Sequence, residues 1–503
     1  RGGAATWTPL TDGERSASVA ALAFDEHEPR RVMVGYGATS SFARCHGHLG
    51  GLSKSEDDGA SWTPIDNGGL FVGDDFRAGI VWRGTRVVVA PMPLNHVFAS
   101  DDDGATWSIA KREFTALHLI GGGADGVLYA AGFDAVTDGG GVYASPDDGA
   151  SWRRVSDAKL NRVFALGVAR VSNAKLAVGG GASLFVVVAV DGRVSNVAHC
   201  GDAPRCTAWK HLDLPGTRER SGAVVGLNPG GQASLHLSAA ALGEHVFVCG
   251  DRQDGPFPNS IGARDYSGRC FRGDATRAGT GLPLDDPEWY PSPQWQHLTN
   301  KPIAAIPDGG TASASSPHAD SRAMVMLASG VLVEADDGGV YARTEPLTNG
   351  GDWVSLNSGG LAVTEAHDVA FDCGTNTPIS GNQDTGTTFE EPAGGGVWNS
   401  LSTADGGDVM VDYESGRAQG VSYRYSSFQL LGNWQRTTFD SQGKLVATKS
   451  LDASAIADRQ FVQPTLLEAN DPTKLLVLGA NTTYEFADRG ETLVAATPIK
   501  LAD

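Results

Sequence analysis

Ser100-Asp-Asp-Asp-Gly-Ala-Thr-Trp107 is the stretch that decides the fold of this 503-residue chain, because the chain repeats it. The other copies are Ser55-Glu-Asp-Asp-Gly-Ala-Ser-Trp62 and Ser145-Pro-Asp-Asp-Gly-Ala-Ser-Trp152. Their tryptophans, at positions 62, 107 and 152, recur every 45 residues. A repeat of about 40 to 50 residues is typical of one four-stranded blade of a β-propeller. The spacing therefore predicts an all-β fold built from such blades.

Each copy has the residues of a tight turn between two strands. The central aspartate, such as Asp102, can accept hydrogen bonds from backbone N–H groups a few residues further on. Gly104 and its counterparts supply a position where φ can be positive. Trp107 is placed to begin the next strand and to bury its ring between blades. Apolar runs such as Arg86-Val-Val-Val-Ala90 precede the turns and favour strands.

The repeated unit, S-x-D-x-G-x-[S/T]-W, resembles the Asp-box of sialidases, xyloglucanases and the sortilin-type receptor domain. The resemblance implies a β-propeller with the boxes on the outer part of each blade, away from the central site. We therefore interpret the box carboxylates as structural and assign them no catalysis. Because the resembling families include both hydrolases and receptors, the boxes leave the activity open.

Composition excludes several classes of protein. Lys and Arg number 39 against 59 Asp and Glu, a net charge of −20, which argues against nucleic-acid binding. With 41% hydrophobic residues the chain is expected to be globular. No apolar run approaches the length of a membrane span. The chain starts at Arg1 with neither Met nor a signal peptide, as expected of a processed protein.

Six cysteines, an even number, fit an oxidising compartment. Cys200 and Cys206 flank a short loop, and Cys249 and Cys270 flank a longer one, so both pairs are expected to form local disulfides. No C-x-x-C pair is present, which argues against a zinc ribbon. The cysteines thus favour a secreted or cell-surface protein.

We predict one β-propeller over residues 1–503, a single large closed ring of about 7 to 10 blades. Residues 1–160 hold the clean repeats, 251–300 are expected to be an inserted loop region, and 318–500 contain C-terminal blades with polar motifs. An innermost strand is predicted at 163–166, among others. Thr6–Leu10 is expected to pair with the C-terminal blade and close the ring, which removes exposed edge strands.

A second resemblance rests on motifs of the C-terminal half. In chain order they are Pro317-His-Ala-Asp-Ser-Arg322, Glu334-Ala-Asp-Asp-Gly-Gly-Val-Tyr341, Trp353-Val-Ser-Leu-Asn357, Gly381-Asn-Gln-Asp-Thr-Gly386 and Asp405-Gly-Gly-Asp408. This order, over roughly 320–415, is similar to a group of uncharacterised bacterial and algal Asp-box propellers described as sialidase-like or glycosyl-hydrolase-like. The resemblance implies a glycoside hydrolase-like protein and attaches no verified reaction to it.

Several of these motifs lie where predicted inner strands begin, and the starts of inner strands meet at one mouth of a propeller channel. Acidic and histidine side chains can converge there to bind calcium, hold a transition metal or flank a glycosidic bond. The alternative is that these are ordinary turn residues. The catalytic candidates are Asp320, Asp337, Asp384, Asp405 and Asp408. The binding candidates are His318, Arg322, His367, Gln383, Trp289, Tyr290 and Trp295. The metal candidates are His46, His48, His318, Asp320 and His367.

The chain departs from both groups of enzymes that its boxes resemble. Xyloglucanase-type propellers carry a catalytic aspartate in a D-x-G-G turn of the first blade, where this chain has His48-Leu-Gly-Gly51. That departure counts against a xyloglucanase mechanism. Sialidases need three arginines and a tyrosine nucleophile; Phe76-Arg77 matches their first arginine poorly, and Tyr423 and Arg424 supply only part of the rest.

Three functions stay open from the sequence. The first is an extracellular propeller that binds a glycan at the channel mouth, with hydrolysis undecided. The second is a non-catalytic module that binds an extracellular protein. The third is a metal-dependent enzyme with a His/Asp site at the channel mouth. Calcium is the cofactor we expect if one is present.

Overall fold

The structure is a computed structural model that describes residues 6–38, 48–123, 126–137, 139–302, 309–361, 363–391, 393–489, 492–495 and 499–500. Its contacts divide the chain into two compact units, Arg1–Leu361 and Ala362–Asp503. Within the described ranges, strands dominate, and the α-helix Ala158–Phe164 is the single one. Among the same residues, no helix is long and apolar enough to span a bilayer.

The first unit contains six four-stranded antiparallel sheets, each a meander in chain order. Sheet 1 comprises Val19–Phe24, Val32–Tyr36, Leu52–Ser55 and Thr63–Ile65; sheet 2, Ile80–Arg83, Arg86–Val89, Val97–Ser100 and Ser108–Lys111; sheet 3, Phe114–Gly121, Leu128–Asp134, Gly139–Ser145 and Arg153–Arg154. Sheet 4 comprises Val171–Gly180, Ser183–Val190, Arg193–Cys200 and Trp209–Leu212; sheet 5, Ser238–Leu242, His245–Cys249, Cys270–Asp274 and Trp295–His297; sheet 6, Ala323–Met326, Leu332–Asp336, Gly339–Arg343 and Trp353–Ser355. A hairpin of Gly216–Arg218 and Val224–Gly226 lies between sheets 4 and 5 in the chain.

Within the described residues, the second unit contains three antiparallel meander sheets, and the last has a fifth strand, Ile499–Lys500, that pairs with Thr482–Arg489. Sheet 7 comprises Ala366–Asp372, Thr377–Asn382, Gly386–Glu390 and Trp398–Ser400; sheet 8, Met410–Asp412, Val421–Ser426, Gln435–Asp440 and Leu445–Ser450; sheet 9, Thr465–Leu467, Lys474–Leu478, Thr482–Arg489, Thr492–Ala495 and Ile499–Lys500. Two 3₁₀ segments, Arg417–Gln419 and Gln429–Leu431, lie within this unit.

The first strands of consecutive sheets in the first unit are neighbours, and all six contribute to one cavity of about 790 Å³. This is the arrangement of β-propeller blades, in which the innermost strand of each sheet faces a central channel. The predicted all-β propeller class is therefore confirmed. The prediction that one ring runs through the whole chain stays a prediction.

Neighbouring sheets are held together by apolar cores. Val88 and Ala99 of sheet 2 pack in one cluster with Leu128 and Tyr143 of sheet 3, and each of these four side chains is at most 3% exposed. Burying a Val or Leu side chain stabilises a fold by about 1.5–3 kcal/mol. Apolar residues of sheets 2 and 3 thus pack into one shared core.

The three repeated turns have the same hydrogen bonds. In the second copy, Ser100 Oγ accepts from the Gly104 N–H and Asp102 Oδ1 accepts from the Thr106 N–H, both at 2.8 Å. The other two copies repeat these bonds at the same distances. The Thr106 hydroxyl and N–H lower the pKa of Asp102 to about 2. Asp103 connects this turn to sheet 1, because its Oδ1 accepts a hydrogen bond at 2.5 Å from Nη2 of Arg31, the residue before the strand Val32–Tyr36.

Three local expectations are corrected by the structure. The strand predicted at 163–166 is wrong: the helix Ala158–Phe164 covers its start, because Asp157 caps the helix by accepting from the Leu160 N–H. The segment 251–300 is not wholly an inserted loop, since it supplies two strands of sheet 5, Cys270–Asp274 and Trp295–His297. Thr6–Leu10 does not form a strand, and Trp7 instead donates its N–H to Gly359 O at 2.8 Å, just after sheet 6.

Both predicted disulfides are present and local. Cys200 and Cys206 close a loop at the end of the third strand of sheet 4. Cys249 and Cys270 join the second and third strands of sheet 5, where the two residues are directly paired across the sheet. The second bridge is adjacent to Gly250, whose carbonyl accepts a hydrogen bond from the Ser321 N–H at 3.0 Å.

Candidate functional site

A buried polar cluster lies between sheets 5 and 6 in the first unit. We call the following five residues the acidic cluster: His236, Asp320, Glu334, Asp336 and Asp337. His236 and Asp320 come two or three residues before the first strands of sheets 5 and 6, Ser238–Leu242 and Ala323–Met326. The other three belong to the second strand of sheet 6 and the turn that follows it.

Local backbone geometry places two of the carboxylates. Asp320 has a φ of 68°, a left-handed conformation that Asp tolerates better than most residues. Its N–H donates to the Asp251 carbonyl at 2.6 Å, which ties it to sheet 5. Asp337 and Gly338 form the two-residue turn between paired Asp336 and Gly339. A Cβ at position 338 would lie 2.4 Å from the Cβ of His318, so only glycine fits there.

The imidazole of His236 lies between the two aspartates. Its Nδ1 is 2.7 Å from Asp320 Oδ1 and 3.0 Å from Gln232 Oε1. Its Nε2 is 3.9 Å from Asp337 Oδ2 and has no hydrogen-bond partner among the described residues. The His236 side chain is 3% exposed, whereas those of Asp320 and Asp337 are each 13% exposed. The histidine is therefore internal, and the two carboxylates reach solvent.

Arg322 forms an ion pair with Asp337. Its Nε donates to Asp337 Oδ1 at 2.6 Å, and its Nη2 donates to Oδ2 at 2.9 Å. This two-bonded geometry matches a planar guanidinium to an ionised carboxylate. Arg322 also lines the central cavity of the first unit. The acidic cluster thus adjoins the cavity through this arginine.

Glu334 and Asp336 form the protonated side of the cluster. Burial, opposed by a hydrogen bond from Ser321, raises the pKa of Glu334 well above the usual range. Burial and the neighbouring Glu334 raise the pKa of Asp336 in the same way. The two side chains contact each other, and two carboxyl groups can share a hydrogen bond only if one of them carries a proton. At neutral pH this pair therefore stores a proton beside Asp337.

The ligand atoms of His236, Asp320 and Asp337 all lie within 4.8 Å of one another. One imidazole and two carboxylates suit a transition metal better than calcium, which prefers six to eight oxygen ligands. Arg322 opposes a cation here, because its guanidinium already occupies both oxygens of Asp337. The arrangement consequently fits proton transfer and carboxylate chemistry better than metal binding.

Three of the candidates predicted from the sequence come together in this region. Asp320, Asp337 and Arg322 belong to one set of contacts, and His318 lies against the Gly338 turn. His318 and Asp320 lie before the first strand of sheet 6, which begins at Ala323. His318 Nδ1 lies 3.2 Å from the neighbouring Ala319 carbonyl.

The remaining acidic candidates lie in the second unit and form hydrogen bonds with nearby backbone and side-chain groups. Gln383 Nε2 and the Asp384 N–H both donate to Asp405 Oδ1, at 2.6 and 3.0 Å. Asp408 Oδ2 accepts from the Thr465 N–H at 2.8 Å, and burial raises the pKa of Asp408. His367 Nδ1 is 2.7 Å from the Gly406 carbonyl. These residues connect the sheets of the second unit.

Two of the three aromatic binding candidates, Trp289, Tyr290 and Trp295, are buried. Trp289 is 1% exposed and Trp295 is 5% exposed, so neither offers a face to a ligand. Trp295 packs in the core between sheets 4 and 5, and its indole donates to the Asp213 carbonyl at 2.7 Å. Tyr290, at 54% exposed, is the accessible one of the three. His48 is exposed, and His46 lies outside the described residues.

Sequence reasoning missed His236 and treated Glu334 and Asp336 as parts of a turn motif. The available signal for the acidic residues was the spacing of Glu334, Asp336 and Asp337 on one strand and its turn. His236 had no such signal, because it is 84 positions before Asp320 in the chain and belongs to another sheet.

Comparison with solved structures shows that the fold is similar to that of three enzymes. The structure is similar to a GH74 enzyme from Niastella koreensis, with a TM-score of 0.59 and 15% identity over 97% of this chain and 67% of that chain. A GH74 xyloglucanase from Xanthomonas campestris gives a TM-score of 0.52 and 12% identity over 97% of this chain and 75% of that one. An ancestral GH74 enzyme gives a TM-score of 0.54 and 14% identity over 97% of this chain and 65% of that chain.

These similarities establish a β-propeller fold. No family model and no curated protein matches the sequence. The similarity to solved structures is therefore one of fold.

Proposed function

We propose that this protein is an extracellular β-propeller that binds a polysaccharide and cleaves its glycosidic bonds at the acidic cluster. The observation that carries the proposal is the pair Asp320 and Asp337, whose nearest carboxylate oxygens lie within 4.8 Å of each other. Glycosidases that retain anomeric configuration place two carboxyl groups about 5–5.5 Å apart. The fold shared with GH74 enzymes supports a glycan as the substrate class.

The environments of the two carboxylates give them different roles. Asp337 is oriented by two hydrogen bonds from Arg322, which suits a nucleophile that attacks the anomeric carbon. Asp320 contacts His236, a buried group that can supply a proton, which suits the acid that protonates the leaving oxygen. Glu334 and Asp336, whose carboxyl pKa values are raised by burial, lie near Asp337.

The extracellular location is supported by the two disulfides, which persist in oxidising compartments. Xyloglucan is the first substrate to test, because it is the one named for the Xanthomonas campestris enzyme of the same fold. The His48 turn predicts that cleavage, where it occurs, does not use the xyloglucanase position in the first blade.

The test is a panel of soluble polysaccharides with xyloglucan and mixed-linkage β-glucan first, assayed for new reducing ends and for product masses. D320N and D337N keep the shape of each side chain and remove its charge or its acidity. We expect each to lower the rate about 10²–10⁴-fold, the usual contribution of one acid–base group. D101N is the matched control, because Asp101 is an exposed aspartate of the same unit with 82% side-chain exposure.

Polysaccharide binding is measured in parallel by affinity gel electrophoresis. Cleavage that D320N and D337N both abolish, with binding retained, supports the proposal. Binding without product in the wild-type protein would overturn hydrolysis and favour a non-catalytic binding module. Product formation unaffected by both variants would move the reaction away from the acidic cluster.

A second candidate, a metal-dependent enzyme, is favoured by one observation, the proximity of ligand atoms from His236, Asp320 and Asp337. Elemental analysis of purified protein tests it. A stoichiometric transition metal that H236A releases would support this candidate, and the absence of any such metal would remove it.

A further inference from the structure

The central cavity of the first unit has a basic wall in an acidic protein. Among the described residues that line it there is no Asp or Glu, although the chain carries a net charge of −20. The lining contains Arg77, His118, Lys175 and Arg322, which come from the first strands of four different sheets or the residues just before them. The remaining lining residues are mainly aliphatic or glycine.

Two of these cations already have partners behind the wall. Arg77 Nε donates to Asp75 Oδ2 at 2.8 Å, and Asp75 does not line the cavity. Arg322 forms its two hydrogen bonds with Asp337 of the acidic cluster. The net charge that these two arginines present to the cavity is therefore largely balanced.

Lys175 is the exception. Its ammonium group has no hydrogen bond or ion pair among the described residues. Burial, helped by the charge of Arg77, lowers its pKa to about 8. The ammonium form still dominates at neutral pH, so a positive charge faces the cavity without a counterion. Lys175 is partly exposed, and a charge that is partly removed from water without a counterion is costly. An anion is the group that would relieve this cost.

His118 provides a second donor beside it. Its Nδ1 accepts a hydrogen bond from the Leu176 N–H at 3.0 Å, so a neutral ring must carry its proton on Nε2. Burial, helped by the charge of Lys175, lowers the pKa of His118 well below its ordinary value, which keeps the ring neutral. Nε2–H is thus a fixed donor on the residue that precedes Leu119 in sheet 3 and lines the same cavity.

The cavity volume of about 790 Å³ is within the range of small-molecule sites. We propose that this cavity binds a small oxyanion, a carboxylate or a phosphate, through Lys175 Nζ and His118 Nε2. Oxygens of either anion accept the two hydrogen bonds, and the aliphatic wall accommodates the remainder of the molecule. The site is independent of the proposed glycan cleavage, because neither residue belongs to the acidic cluster.

The test is isothermal titration calorimetry of the full chain at pH 7 and constant ionic strength in chloride. The probes are inorganic phosphate, citrate and glucuronate, with methyl glucoside as a neutral comparison. Phosphate and the two carboxylates distinguish the two sources of the oxyanion. We expect one site per chain for at least one anion and none for methyl glucoside.

K175M keeps the approximate length of the side chain and removes its charge. We expect it to weaken anion binding about 10- to 100-fold, as loss of a charged hydrogen bond does. K159M changes an exposed lysine of the helix Ala158–Phe164 and should leave the affinity unchanged. H118Q is the second variant, and we expect it to weaken binding of the same anion.

A failure of all three anions to bind, equal affinity in wild type and K175M, or equal binding of methyl glucoside would each overturn the site. Melting temperatures of the variants show whether they are folded. If K175M does not fold, the comparison between wild type and H118Q decides.

Discussion

Replacing Lys175 with methionine should make the protein more stable at neutral pH in the absence of an anion. The ammonium group is desolvated in the cavity and lies near the charge of Arg77, which lowers its pKa from 10.5 to about 8. A difference of one pKa unit corresponds to about 1.4 kcal/mol. The charged form therefore costs the folded state about 3 kcal/mol, and methionine removes that cost.

The sign of the pH dependence follows from proton binding. Below pH 8, Lys175 is protonated in both the folded and the unfolded chain, so the full cost is present. Between pH 8 and about 10.5, only the unfolded chain keeps the proton, so the stability of the wild-type protein rises with pH. The advantage of K175M should thus be about 3 kcal/mol at pH 7 and should shrink towards zero near pH 10.5.

The assay is urea denaturation of wild type and K175M from pH 6 to pH 10 in buffers that contain neither phosphate nor carboxylates. Three charged or titratable groups share the cavity wall, Arg77, His118 and Arg322. The two arginines stay charged in both proteins over this range. Burial is the larger cause of the low pKa of His118, so its ring stays neutral in this pH range when Lys175 is replaced. A difference below about 0.5 kcal/mol at pH 7, or one that does not change with pH, would show that the ammonium group is not desolvated.

Three further outcomes are expected. E334Q should gain stability over wild type as pH rises from 5 to 8, because burial raises the pKa of the Glu334 carboxyl and glutamine never ionises; parallel pH curves by urea denaturation would contradict this. S100A should lose about 1–3 kcal/mol in chemical denaturation, because the buried Gly104 N–H loses its acceptor, and S108A, on a partly exposed strand, is the control. Replacing Cys249 and Cys270 with serine should lower the free energy of unfolding by about 3 kcal/mol in the same assay. This loss should exceed that for Cys200 and Cys206, because the sequence separation is 21 in the first pair and 6 in the second. Equal losses for the two pairs would contradict the loop-length reasoning.

Much of the fold could be predicted from the sequence because its signals are local. The hydrogen bonds of the repeated turn, such as those of Ser100 and Asp102, join residues four positions apart. Both disulfides likewise close short loops. The helix Ala158–Phe164 was missed although its capping aspartate is visible, because an apolar run of four residues favours a strand and a helix alike.

The candidate site could be predicted only in part. Asp320, Arg322 and Asp337 were found because they belong to one stretch of chain around the turn of sheet 6. His236 was not found, because its contact with Asp320 joins two sheets and has no pattern in the sequence. Trp289 and Trp295 were assigned to ligand binding because their residue type suits sugars, and packing buried them instead.

The sequence by itself determined the repeated turns, the four-stranded sheets and the disulfide pairs, since each depends on residues close together in the chain. Only the tertiary structure decided which charges meet. Lys175 and His118 are 57 positions apart and belong to different sheets, yet they line one cavity because first strands of successive blades are neighbours. Burial in that cavity, which no local pattern encodes, changes an ordinary lysine into an unpaired charge and so gives the first unit its basic interior.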